Sequence, residues 1–171
     1  HVYKKALAQA PKSVEALIGL GDVYRARGLF DEAVKTYTQG LEITQNRDPE
    51  VWNKLGITHS AQKQYDNAIA AFQKALELSP KSFEYHLNLG VVYSSKVMFQ
   101  EANQAFETVL QINPNYAEAQ GRIALNMERM EKKAEAVAAW KKYVQMIERI
   151  PDRADEIRQV QEKIAALQKQ P

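Results

Sequence analysis

Apolar side chains recur along this chain at spacings of three and four, the period of one face of an α-helix. Between Pro49 and Pro80, Trp52, Leu55, Gly56 and His59 share one such face, and Ala68, Phe72, Ala75 and Leu76 share a second. Two helices joined by a short polar turn are predicted there, with Gly56 and Ala68 where the two backbones must approach closely. The same pattern returns before and after this stretch. Leu20-Gly21, Leu55-Gly56, Leu89-Gly90 and Ile123-Ala124 stand 35, 34 and 34 residues apart. Each pair is followed at fixed offsets by Tyr24, His59, Tyr93 or Met127, then by Ala33, Ala68, Ala102 or Ala136, then by Tyr37, Phe72, Phe106 or Trp140. A period of this length, kept in several columns at once, marks an array of repeated helix pairs.

Breakers and caps fall where the array requires them. Gly28 supplies a left-handed stop between two helices of one repeat. Pro11, Pro80 and Pro114 cannot continue the helices before them, Ser13 and Ser82 follow as N-caps, and Asp48-Pro49 does the same work in the copy with one extra residue. After the fourth copy Pro151 and Asp152 open a last helix whose stripe, Ile157, Val160, Ile164 and Leu167, is narrow and backed by charged residues. A helix of that kind covers the end of an array that has no further neighbour.

The columns W/L-x2-L-G-x2-Y, A-x3-F and P resemble those of the tetratricopeptide repeat (TPR) over Val14 to Ile150. Tyr3, Ala6, Leu7 and Pro11 match the second half of a preceding repeat, so the parent protein is expected to extend upstream. The resemblance implies an all-α fold, a right-handed superhelical solenoid of antiparallel helix pairs. Its divisions are 1–12 (second helix of a truncated repeat), 13–47, 48–81, 82–115 and 116–150 (four repeats), and 151–171 (capping helix), within one domain over 1–171. The fourth repeat departs from the pattern: Gln120 replaces a large apolar residue, Met127 an aromatic, and Lys133 the turn aromatic seen as Phe30, Tyr65 and Phe99.

Composition narrows the chemistry. With 23 Lys and Arg against 21 Asp and Glu, the chain lacks the basic excess that phosphate binding uses, which disfavours nucleic acid. Absence of cysteine removes disulfides, thiolate metal sites and cysteine nucleophiles. No run approaches the ~20 apolar residues of a membrane span, so no direct insertion is expected. His59 and His86 occupy apolar columns without a partner histidine or carboxylate at ligand spacing, and no phosphate loop or nucleophile elbow is present. The acidic column Glu15, Glu50, Glu84 and Glu118 lies in first turns, where the helix dipole favours negative charge. The expectation is no enzyme, no metal and no cofactor.

Binding is the activity the repeats offer. The first helices of a TPR array line its concave surface, which in related proteins holds an extended peptide or a helix. Projected helical faces place Ile18, Asp22 and Arg25 there, then Asn53, Lys54, Ile57 and Ser60, then Leu87, Asn88, Val91 and Ser94, and finally Arg122 and Leu125. The aliphatic members would offer pockets, and Asn53 and Asn88 would each offer a donor and an acceptor to a peptide backbone. Chaperone-binding TPR domains use a dicarboxylate clamp. In the best register its places hold Asn53, Ile57, Asn88, Glu118 and Arg122, of which only Asn88 and Arg122 fit, so acidic C-terminal tails are not the expected ligand. Val97 and Met98, at a turn where other copies carry Gly28-Leu29, Lys63-Gln64 and Glu131-Lys132, form a candidate secondary contact with another chain, a second copy included. The expected function is therefore a protein–protein interaction scaffold whose groove binds a peptide segment or helix of a partner and supports complex assembly. The alternative is a regulatory or targeting module of a larger enzyme whose catalytic domain lies elsewhere.

Overall fold

A computed structural model describes residues 13–169, and the expected half repeat at 1–12 lies outside them. Among the described residues nine helices and no strand are found: α1 (Val14–Ala26), α2 (Phe30–Ile43), α3 (Pro49–Ala61), α4 (Tyr65–Leu78), α5 (Phe83–Ser95), α6 (Phe99–Ile112), α7 (Ala117–Arg129), α8 (Lys133–Ile147) and α9 (Ala154–Lys169). The chain divides into two compact units, residues 1–92 and 93–171, with the division inside α5.

In the first unit α1 packs on α2, α2 on α3 and α3 on α4. The core is built from the columns read in the sequence: Ala33, Tyr37, Leu41, Val51, Leu55 and Ala71 are buried together. The small residues are there for a steric reason. A Cβ on Gly21 would lie 2.5 Å from the Tyr37 ring, and one on Gly56 would lie 2.7 Å from the Phe72 ring. The Tyr37 ring thus lies against the bare backbone of Gly21, and the Phe72 ring against that of Gly56. In the second unit α6 packs on α7, α7 on α8 and α8 on α9. Phe106, Val109, Ala124 and Trp140 are buried there.

The helix ends follow local chemistry. Ser13 Oγ accepts from the Ala16 amide at 3.2 Å, and Asp48 Oδ1 accepts from the amides of Glu50 and Val51 at 2.9 and 3.2 Å. Tyr85 N–H reaches Ser82 Oγ at 3.4 Å. The turns inside the repeats share one backbone form. Gly28, Lys63, Val97 and Glu131 all have positive φ, between 58° and 73°. The next amide closes back on a carbonyl five residues earlier: Leu29 on Tyr24, Gln64 on His59, Met98 on Tyr93 and Lys132 on Met127, at 2.9 to 3.0 Å. This helix-ending geometry is most easily met by glycine, yet only Gly28 supplies one.

Candidate functional site

In the first unit the first helices are tied to one another by polar side chains. Asp22 on α1 receives the Lys54 ammonium of α3 at 2.9 Å, the Tyr37 hydroxyl at 2.7 Å and Arg25 at 3.4 Å. Burial alone would raise the Asp22 pKa, but these hydrogen bonds and positive charges hold it below its ordinary value. Burial and the Asp22 carboxylate together push the Tyr37 hydroxyl far above its ordinary range. Asn53 on α3 accepts from the Asn88 amide of α5 at 2.9 Å and donates to Glu84 at 3.2 Å.

These bonds change the expected role of one residue. Asn53 is only 2% exposed, and both ends of its amide are engaged by neighbouring side chains. It is a buried clasp between α3 and α5, not a group presented to a peptide; a buried amide must satisfy itself within the fold. Ile18 is likewise partly withdrawn, packed against the core of its unit. Asp22, Arg25 and Lys54 are half-buried and bonded to one another. Ile57, Ser60, Leu87, Asn88 and Val91 are half-exposed on the same helices. What this face leaves open is mainly aliphatic.

The second unit carries a cleft that the sequence did not announce. An open cleft of about 620 Å³ lies between α7, α8 and α9, lined among others by Trp140, Tyr143 and Ile147 and by the exposed Leu125 and Ile150. Arg122, expected in the groove, stands at this cleft and binds Glu118 one turn away at 2.7 Å. Ser94 is engaged by the Asn126 amide at 3.0 Å, and Asn126, buried, also donates to Asn103 Oδ1 at 2.9 Å. Gln120, the polar intruder in an apolar column, is buried and donates to the Ala139 carbonyl at 3.1 Å. Only its departure from the repeat pattern marked it in advance. Val97 is 69% exposed and Met98 half-exposed, beside a shallow cavity shared with Phe99 and Met130.

His59 and His86 are half-buried and bonded to turn groups, His59 with the Gln64 side chain and His86 with the Pro80 carbonyl, both at 2.9 Å. Among the described residues no group of three or more metal-ligating side chains is gathered, and no helix is long and apolar enough to cross a membrane.

The family description "Cytochrome c-type biogenesis protein H TPR domain" matches residues 41–154, and a second, "Tetratricopeptide repeat", matches residues 1–56. The chain belongs to the TPR family. Among curated proteins it is similar to a peroxisomal targeting signal receptor of Kluyveromyces lactis, 32% identical over 84 residues, 49% of this chain and 14% of that protein. A CTR9 homolog of Arabidopsis thaliana is 32% identical over 82 residues, 48% of this chain and 8% of that protein. The chain thus spans a small part of the relatives it matches. Among solved structures a MamA protein superposes with a TM-score of 0.77 at 29% identity, covering 85% of this chain and 79% of that one. YrrB, described as a TPR protein with an unusual peptide-binding site, gives 0.75 at 22% identity, covering 94% and 80%. The fold class is thus the all-α TPR solenoid. TPR domains are in general non-catalytic interaction modules.

Proposed function

We propose that the chain holds a peptide segment or helix of a partner protein on the faces of its first helices and so supports the assembly of a complex. The observation that carries this reading is the state of those faces. Their polar groups are largely bonded to each other, while Ile57, Leu87 and Val91 in the first unit and Leu125 in the second keep aliphatic surface in water. Aliphatic surface beside a rigid polar ladder favours binding, because little freedom is lost in the receptor when a ligand arrives. The family description names a cytochrome c-type biogenesis protein, so assembly work is the setting in which to seek the partner.

A photo-crosslinking residue placed at Ile57 or Leu87, and separately at exposed Glu42 on α2, tests this in cells that express the protein. Capture of one partner from positions 57 and 87 but not from 42 is the expected result. Equal capture from all three would sink the reading.

A further inference from the structure

A second cleft of the same unit opens where the fourth copy has lost a ring. It measures about 540 Å³, is walled by the second helices α6 and α8, and is floored by Gln120, Ile123 and Met127 of α7. None of the residues placed in the groove belongs to it. We propose that it takes the tryptophan side chain of a partner protein, with lysine or arginine beside that tryptophan in the partner's sequence.

The repeat columns define what is missing. Gln120 stands in the column of Trp52 and His86. In those two copies a ring fills the position, and a ring nitrogen bonds the carbonyl six residues before it: Trp52 with Asn46 at 3.0 Å and His86 with Pro80 at 2.9 Å. Trp52 packs on a core that includes Leu41, Leu55 and Ala71. Leu110, Ile123 and Ala139 hold the same three columns around Gln120, and all three line the cleft. Leu41 is 3% exposed, whereas its counterpart Leu110 is half-buried. The floor of an aromatic site is present without its aromatic.

Gln120 also selects the polar tip of the occupant. Its side chain is 7% exposed, and its amide nitrogen donates to the Ala139 carbonyl at 3.1 Å. Its Oε1 accepts from no donor among the described residues. A buried acceptor requires a donor, and tryptophan joins a large apolar ring to a single N–H. Phenylalanine and leucine lack that group. A second copy of this chain has none to spare, since the N–H of Trp52 is bonded to Asn46 and that of Trp140 to Glu128.

Charge sets the flank. Glu107 and Glu135 are exposed on the rim, and neither makes an ion pair or hydrogen bond among the described residues. Both lie towards the Met127 end of the cleft. Asn103, one turn before Glu107, reaches Met127 Sδ at 3.9 Å, and Lys132, three residues before Glu135, bonds the Met127 carbonyl at 3.0 Å. Lys142, the cation of the lining, stands seven residues along α8 from Glu135, about 10 Å at ~1.5 Å per residue. It marks the other end, with Ala139 and Gln120. Two unpaired carboxylates at one end favour a cation there, and complementary rim charge gives specificity.

The test is fluorescence anisotropy of a labelled peptide, Arg-Arg-Ala-Trp-Ala, titrated with the full chain. Controls replace its Trp by Ala or by Phe, or both Arg by Glu. The expected result is saturable binding that weakens at least about tenfold when Ala replaces the Trp and weakens with Phe. Preference for Arg over Glu is expected to vanish in the chain carrying Glu107→Lys with Glu135→Lys. Gln120→Trp restores the missing ring within the chain itself and is expected to abolish binding. Both glutamates are exposed, so their substitutions stay informative if Gln120→Trp disturbs the fold. No saturable response, affinity equal to that of any control peptide, or undiminished binding to folded Gln120→Trp would overturn the proposal. So would concentration-dependent self-association abolished by Gln120→Trp, which would make a second copy the occupant. If Ile57→Asp with Leu87→Asp abolishes peptide binding while Gln120→Trp does not, the cleft fails and the first-helix reading stands. If crosslinking at 57 and 87 shows no preference while cleft binding holds, the reverse is true.

Discussion

Val97 sits in a left-handed conformation, φ 65°, with most of its side chain in water. For a β-branched residue this conformation is an outlier, and the crowding of Cβ against the following carbonyl costs ~1–2 kcal/mol. Burial recovers little of that here. Replacing Val97 by Asn, which tolerates this region, is expected to raise stability by ~0.5–1 kcal/mol, measured as a shift in the denaturant midpoint at unchanged slope. Gly28 announced its left-handed turn by residue type, because glycine is the usual occupant; Lys63, Val97 and Glu131 were placed at the matching turn only by the repeat register, because the repeated backbone imposes the conformation on whatever residue falls there. Asn53 shows the opposite limit. Its place on the first-helix face was legible from spacing, but not that Asn88 and Glu84 would take up both ends of its amide. That depends on side chains 35 and 31 residues away.

At the scale of elements, the stripe read in the sequence lies along one face of α9, with Val160 and Ile164 buried and Ile157 and Leu167 half-buried. Its packing on α8 leaves the cleft over α7, and no periodicity encodes that gap. The Tyr143–Glu156 link between α8 and α9 has a titration consequence. Burial first, then the hydrogen bond and charge of Glu156, push the Tyr143 hydroxyl from its ordinary 10.0 up to about 12. The fold therefore favours the neutral phenol. This contribution is complete below pH 10 and is lost as pH rises from 10 to about 12. Tyr143→Phe is expected to melt with a shallower decline across that interval than the parent chain, with Tyr37 still contributing to the remaining slope. Identical slopes in a thermal series over this window would contradict the assignment.

For the whole molecule, each compact unit holds one of the chain's two tryptophans, Trp52 in the first and Trp140 in the second. Arrays of repeats draw their stability from nearest neighbours, and local openings differ in free energy across one chain. Gly56→Ala forces a methyl group against the Phe72 ring. Overpacking of this kind costs ~1–3 kcal/mol. Monitored separately in single-tryptophan variants, the Trp52 transition is expected to fall to lower denaturant by more than the Trp140 transition. Equal shifts would mean that the chain unfolds as one cooperative body.

The contact between a bare glycine and a flat ring also limits how such a chain can drift by single substitutions. At Gly21 and Tyr37, and again at Gly56 and Phe72, enlarging the glycine first produces a clash and shrinking the ring first produces a void. Every one-step route away from the pair descends before it climbs, so the two positions form a single locus in practice.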